Sequence, residues 1–352
     1  MRTVTSSPHF HSGASTKNIM FSVAAALTPA WLWGVYVFGI RALLVMLVSV
    51  AASVLTEYIL GKVSKEFTIW DGSAVVTGMI IGMNMPSSIP LFIPAIASFI
   101  AIAVAKWTFG GLGANWANPA VVGRIFVFFS FTSAMSSFPM PKTLNMVDFV
   151  SSASPLSFVK SIIASGEGFQ RTSYQILADN FYPVSNMAEK ISSVTGFNVY
   201  NIDAFIGNVP GCIGEVSKIL LIAGAIYLLC RKIITWHIPV SFIGCYAVLT
   251  WIFAGIPYGL GAFHGEIMSS VLRGGLILGA FFMATDMVTS PLTHKGQIIF
   301  GIGCGFFTFL FRFFGSLPEA TSVAILIMNI ATPTINRFCV PVLFGKTKEA
   351  GK

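Results

Sequence analysis

The sequence predicts an all-α polytopic membrane protein of about ten transmembrane helices. The helices are expected in two inverted five-helix repeats, with one polar insert on the outer side. Three observations carry this reading: scarcity of charge, recurring apolar stretches of membrane-spanning length, and a motif that returns in the second half. Of 352 residues, 55% are hydrophobic and only 10% charged, where a soluble protein carries about a quarter of its residues as Asp, Glu, Lys and Arg. A mean hydropathy of +0.80 agrees. A water-soluble enzyme and a disordered chain are both excluded. The net charge of +8 does not point to nucleic acid, because no basic cluster exceeds two adjacent residues. An excess of Lys and Arg on cytoplasmic loops accounts for it.

A bilayer core of about 30 Å takes about 20 apolar residues per helix. Spans are expected near 19–38, 40–61, 73–89, 91–108 and 119–138, and then, after the insert 139–211, near 212–230, 236–255, 268–287, 296–315 and 320–337. The chain therefore divides into a first membrane repeat (1–138), an extracytoplasmic insert (139–211) and a second membrane repeat (212–352). The third and eighth spans are Gly-rich and are followed by Pro86, Pro90 and Pro291. Such broken or tilted helices are tolerated where backbone lines a protein-enclosed cavity.

Orientation follows from charge. With the N-terminus inside, the cytoplasmic segments hold Arg2, Lys17, Lys62, Lys65, Lys106, Arg231, Lys232, Lys295, Arg337, Lys346, Lys348 and Lys352 against Glu66, Asp71 and Glu349. The insert has Lys142, Lys160, Arg171 and Lys190 against Asp148, Glu167, Asp179, Glu189 and Asp203. The bias places both termini in the cytoplasm and the insert outside. The first 18 residues contain no apolar run that reads as a cleavable signal.

The repeat is visible in residues. Thr77-Gly78-Met79-Ile80-Ile81-Gly82, reaching Pro90, parallels Leu278-Gly279-Ala280-Phe281-Phe282-Met283, reaching Pro291. Lys106-Trp107-Thr108-Phe109 likewise parallels Arg312-Phe313-Phe314-Gly315. Five spans per half make the second half start outside, so the repeats are inverted, an arrangement that encloses midplane sites.

Candidate chemistry lies in few places. The insert carries Asp148-Phe149-Val150-Ser151-Ser152-Ala153-Ser154-Pro155, which by itself reads as a Ser-rich turn capping a helix that begins at Pro155. It is no hydrolase triad, since the insert has no histidine to serve as base. Between spans four and five, Gly110 to Asn118 lacks the Lys-Ser/Thr of a P-loop. There Asn118 caps the helix started by Pro119, while the amides of Asn115 and Asn118 suit the alternating donors and acceptors at a flavin edge.

Glu57, Arg124, Glu215, Lys218, Arg273 and Asp286 lie in or beside apolar runs, where charge is costly and often functional. On the plain structural reading, Glu57 and Asp286 sit at interfaces and Glu215 pairs with Lys218 one turn away. Arg124, one turn into span five, is placed to face the anionic part of a cofactor. The five cysteines, Cys212, Cys230, Cys245, Cys304 and Cys339, have no metal spacing and read as buried small hydrophobes. No histidine pair occurs at helical spacing within one span, which argues against haem.

The chain resembles the RnfD/NqrB family of membrane subunits, from the Rnf complex and the sodium-pumping NADH:quinone oxidoreductase. The residues that carry the resemblance are Ser7-Pro8-His9, Asp71-Gly72-Ser73-Ala74, Gly110 through Ala120, Gly214-Glu215-Val216-Ser217, Phe281 through Asp286 and Thr289-Ser290-Pro291. Length and a short N-terminus are more similar to RnfD. The resemblance implies a fold similar to urea and ammonium transporters. It also implies FMN joined through its phosphate to Ser154 by a flavin transferase, on a D-x-x-S-G-A-T/S motif that maps onto Asp148 to Ser154.

Ser152 replaces the usual Gly and Ser154 stands where Thr is common, leaving Ser151 and Ser152 as alternative acceptors. A second flavin, non-covalent riboflavin, is implied near Gly111, Gly113, Asn115 and Asn118, with Arg124 and Asp286 as neighbours. The implied partners are the A, B, C, E and G subunits of an Rnf complex in a bacterial or archaeal cytoplasmic membrane. That complex moves electrons between ferredoxin and NAD coupled to Na⁺ or H⁺. A quinone-reducing relative and a small-solute channel of the same fold are the alternatives.

Overall fold

The structure is a computed structural model and describes residues 15–65, 68–142, 151–166, 170–315 and 319–340. Apart from a two-stranded ribbon, the regular elements among these residues are helices. Four are long and apolar enough to cross a membrane: α1 (Thr16–Phe38), α2 (Ile40–Ser64), α4 (Phe92–Phe109) and α15 (His294–Phe314). Shorter apolar helices lie between them: α3 (Ser73–Met83), α5 (Pro119–Ser130), α11 (Lys218–Cys230) and α12 (His237–Phe253). The helix α16 (Thr321–Phe338) closes the bundle. Leu44, Leu47, Leu55, Ile59, Phe99 and Ile302 stand exposed along these helices, an outward apolar face that suits lipid.

Between lipid-solvated helices there is little hydrophobic gain in association, so close backbone approach and interhelical hydrogen bonds hold the bundle. A Cβ on Gly123 of α5 would lie 2.4 Å from the carbonyl oxygen of Ala97 in α4, and one on Gly224 of α11 would lie 2.4 Å from that of Ala26 in α1. Ser49 Oγ donates to Gly78 O at 2.8 Å, and Ser98 Oγ donates to Ser49 O at 2.9 Å, tying α2, α3 and α4 together.

The stretches expected as the third and eighth spans are both interrupted. α3 stops at Asn84, whose Nδ2 donates to Ile80 O at 2.7 Å, and Pro86 follows. The carbonyl of Met85, left without a helical partner, accepts from Ile213 N at 3.0 Å, as a buried break requires. In the second half, α13 (Ile267–Leu272) ends at Arg273, Gly274 takes a φ of 72°, and α14 resumes at Leu276–Leu278, continuing as a π-helix over Gly279–Met283. π-turns also occur in α4 over Ile100–Lys106 and in α15 over Leu310–Phe314, each containing a buried cation, Lys106 or Arg312. Such turns are rare and recur at functional sites.

Beyond the cap at Pro155, the sequence leaves the insert without assigned elements, and its described residues contain four short helices. They are α7 (Pro155–Ala164), α8 (Ser173–Asp179), α9 (Asn186–Thr195) and α10 (Val199–Ile206). Thr172 and Gln175 form a reciprocal capping box at α8. Val159, Ile176, Leu177 and Tyr182 make a small separate core. Among the contacts that seat the insert on the bundle, Lys160 Nζ donates to Arg312 O at 3.0 Å, and Gln170 N donates to Tyr258 O at 2.7 Å. Before it, the fifth expected span divides into α5 and α6 (Thr132–Ser136) and ends in β1 (Phe138–Pro139), which pairs antiparallel with β2 (Ser151–Ser152).

Cys212 and Cys304 are buried as expected, but Cys230 is exposed and Cys245 and Cys339 are half-buried. The apolar runs that contain those three cysteines turn one side outward.

Candidate cofactor sites

Several of the polar residues singled out in the sequence line one of two cavities. The first, of about 110 Å³, lies between α1, α3, the loop before α5, the end of α11 and the segment after α14. It brings together Asn115, Asn118 and Asp286, with Lys106, Ser73, Thr77 and Thr285 as further polar lining. Ile80, Leu228, Ile233, Phe281 and Phe282 supply apolar walls. Apolar walls with a few convergent polar groups are what an aromatic ligand needs.

The two asparagines do different work. Asn118 caps α5, its Oδ1 accepting from Ala120 N at 3.0 Å, as the Asn-Pro pair predicts; its Nδ2 donates to Met283 O at 3.0 Å across the bundle. Asn118 thus locks the halves together. Asn115 is buried and its Oδ1 has no hydrogen-bond partner, so it is the amide with unused capacity. Gly111 and Gly113 adopt φ of 85° and 100° with open space where a Cβ would sit. They turn the loop toward the cavity but do not line it, whereas Leu112 does. Asp286 accepts from Thr289 Oγ1 at 3.0 Å.

Lys106 corrects an expectation. The sequence places it among the cytoplasmic loop charges, yet it is 1% exposed and donates to Glu57 Oε1 at 2.6 Å and to Ser73 Oγ at 2.7 Å. Glu57, expected at an interface, is itself fully buried and also accepts from Thr68 Oγ1 at 2.6 Å. A buried ammonium persists only when paired in this way.

The second cavity, of about 20 Å³, is lined by Ser154, Pro155, Leu156, Val209, Pro210, Gly211, Glu215, Val216, Lys218, Arg273, Gly274 and Glu319. Ser154 is 7% exposed and caps α7: its Oγ accepts from Ser157 N at 3.3 Å and lies 2.8 Å from Ser157 Oγ. The cap is the one expected from Ser-Pro. Ser151 and Ser152 form β2, opposite Pro139 and Phe138. Asp148 lies outside the described residues.

Between the cavities, Arg124 joins neither. Its Nη2 meets Glu319 Oε2 at 2.8 Å and Glu215 Oε1 at 3.7 Å, and its Nη1 donates to Ser322 Oγ. The expectation for Arg124 is a cofactor anion; its counter-charges are carboxylates of the protein. Cys212 Sγ lies 3.7 Å from Glu319 Oε2, and Cys212, Glu215 and Glu319 bring their ligand atoms within 4.8 Å of one another. Arg124 supplies the positive charge among these groups and makes them an ion-pair cluster. The expected Glu215–Lys218 side-chain pair does not form. Lys218 Nζ instead donates to the backbone carbonyl of Glu215, because the Glu215 carboxylate turns to Arg124. Glu319, unnoticed in the sequence, stands just before α16, where it reads as a span boundary. No histidine pair forms within one helix among the described residues, but His237 and His294 stack at 4.3 Å between α12 and α15.

The arrangement has relatives. The pattern that defines the NQR2, RnfD, RnfE family matches residues 3–345. The D component of a proton-translocating ferredoxin:NAD(+) oxidoreductase complex from Clostridium ljungdahlii is 42% identical over 344 residues, covering 97% of this chain and 96% of that one. The D component of a Na(+)-translocating ferredoxin:NAD(+) oxidoreductase complex from Acetobacterium woodii is 38% identical over 347 residues, 98% and 96% of the two chains. The D component of an ion-translocating oxidoreductase complex from Stutzerimonas stutzeri is 32% identical over 342 residues, 95% and 93%.

Proposed function

Because this chain belongs to the NQR2, RnfD, RnfE family, we propose that it is the flavin-carrying D component of an Rnf-type, ion-translocating ferredoxin:NAD⁺ oxidoreductase complex. The relatives' names favour this reading over a quinone-reducing complex and over a solute channel. The chain works among other subunits in a multi-pass membrane assembly, and its own share is to hold flavins in the electron path. In this reading Ser154 bears FMN through a phosphoester, and the Asn115 cavity holds riboflavin. Bound flavins supply the one- and two-electron chemistry; the protein supplies position, electrostatics and exclusion of water.

The placement of the two cavities along the chain carries the reading. Asn118 begins α5, which is about 18 Å long at 1.5 Å per residue. α6 and β1 follow, and β1 pairs with β2, which ends two residues before Ser154. One continuous stretch therefore leads from the asparagine cavity to the serine. Each end suits a different part of a flavin: Asn115 offers an unpartnered buried acceptor among apolar walls for a ring edge, and Ser154 offers a hydroxyl at a helix N-terminus for a phosphate ester.

Ten spans in two inverted repeats fit the paired features: α3 and the α13–α14 stretch are both broken, and α4 and α15 both carry π-turns containing Lys106 and Arg312. The charge bias orients both termini to the cytoplasm and the insert outward, where the flavin transferase works. The test is denaturing gel electrophoresis of the purified chain, viewed under ultraviolet light. A fluorescent band that Ser154→Ala abolishes is expected; a dark wild-type band overturns the proposal.

A further inference from the structure

We propose that Arg273 and Lys218 form an anion clamp for the phosphate ester carried by Ser154. The inference rests on the reading of Ser154 as the attachment residue and adds which groups receive the phosphate.

Arg273 stands at the break between α13 and α14, is 3% exposed, and its Nη2 has no hydrogen-bond partner. Its guanidinium lies over the Tyr174 ring at 5.7 Å from the centroid, and among the described residues it forms no salt bridge with a carboxylate. A buried guanidinium N–H without an acceptor is costly. Here it borders the same small cavity as the Ser154 side chain. Lys218, also buried, borders that cavity at the first residue of α11 and uses its Nζ on the Glu215 carbonyl, leaving further N–H donors. Ser154 itself opens α7, a ten-residue helix whose first N–H groups and dipole favour an anion.

The acids on this cavity do not cancel the cations. Glu319 is held by Arg124 at 2.8 Å, and Glu215 faces the same guanidinium at 3.7 Å, its Oε1 without a hydrogen bond. The cavity wall itself carries two cations (Lys218, Arg273) and two carboxylates (Glu215, Glu319); Arg124, outside the wall, is the counter-charge of both carboxylates, and Arg312 comes within 2.9 Å of where a Gly274 Cβ would sit. A phosphodiester carries one negative charge. The cavity of about 20 Å³ has room for about one water-sized group, the size of a phosphoryl oxygen, and is far too small for a ring system. Gly274 keeps it open: its φ of 72° disfavours any side chain there.

The clamp is tested on the full-length chain in detergent, in a Ser154→Ala background that carries no ester, by titrating FMN and riboflavin separately and reading flavin fluorescence anisotropy. The clamp predicts that FMN binds more tightly than riboflavin. It predicts that Arg273→Gln cuts this preference at least about tenfold, the size of one charge-assisted hydrogen bond. Lys218→Gln should cut it less, and Arg273→Lys should keep most of it. Equal binding of the two flavins in the parent, or a preference unchanged in both Arg273→Gln and Lys218→Gln, overturns the clamp. Should Arg273→Gln not purify as a monodisperse protein, Lys218→Gln and Arg273→Lys carry the same comparison. The attachment reading fails separately: a dark wild-type gel band with an Arg273-dependent preference refutes the ester and keeps the clamp.

Discussion

The cavity at Asn115 and the cavity at Ser154 differ most in how their buried charges are balanced. At Asn115 the buried cation, Lys106, is held by Glu57 at 2.6 Å, and Asp286 adds a further acid to the lining. At Ser154 the two acids, Glu215 and Glu319, both face Arg124, while Arg273 keeps an unpartnered N–H. The first surrounding repels a phosphate and the second attracts one. On the proposed reading, this contrast sorts an uncharged riboflavin to one end and a phosphate-bearing FMN to the other.

The largest expected effect comes from unbalancing the first cavity. Lys106→Met leaves the Glu57 carboxylate buried and unpaired, and should destabilise the chain by about 3–5 kcal/mol, as broken buried ion pairs do. Lys106→Met combined with Glu57→Leu should recover most of that loss. Thermal unfolding in detergent measures both; a single variant as stable as wild type would show that the pair does not hold α2 to α4.

A smaller effect addresses selectivity. Asn115→Leu removes one hydrogen-bonding group and should weaken retained riboflavin about fivefold, the equivalent of about 1 kcal/mol. Asp286→Asn should instead raise the tolerance of the same cavity for FMN while leaving riboflavin nearly unchanged. Equilibrium dialysis with each flavin separates the two, and equal losses for both flavins in Asp286→Asn would erase the charge contrast.

The smallest effect lies in the insert. Asp203 accepts from Ser185 N at 2.9 Å, and burial pushes its carboxyl above the ordinary 3.8 despite the Ser185 bonds. A raised carboxyl holds its proton more tightly folded than unfolded. Its contribution is therefore full below 3.8 and is lost as pH rises through the raised value. Amide protection factors in α9 and α10 should fall from acid toward neutral pH, and Asp203→Asn should flatten the profile.

Local chemistry was legible in the sequence, and long-range pairing was not. Ser154 and Asn118 were readable as helix caps because each precedes a proline at the first helical position. The breaks after Met83 and Leu272 were readable from Gly and Pro. The Lys106–Glu57 pair joins residues 49 apart, and its only trace in the sequence was the likeness between Lys106-Trp107 and Arg312-Phe313. Lys106 sits at the end of an apolar run, where a loop charge and a buried one look alike. Arg124 was legible as functional by its position, but its partner Glu319 is 195 residues away and no spacing reveals it. Of the insert's described helices, α7 was readable from Ser154-Pro155, while α8, α9 and α10 escaped because they are short, and α8 and α10 carry no acid in the first turn to mark the start.

The central claim is that Ser154 carries a flavin through its phosphate. Tandem mass spectrometry of the proteolytic peptide spanning 151–160, from protein made in a host with the attachment machinery, tests it most directly. The account predicts an FMN-sized adduct fragmenting to Ser154; an unmodified peptide, or an adduct on Ser151 or Ser152, would contradict it.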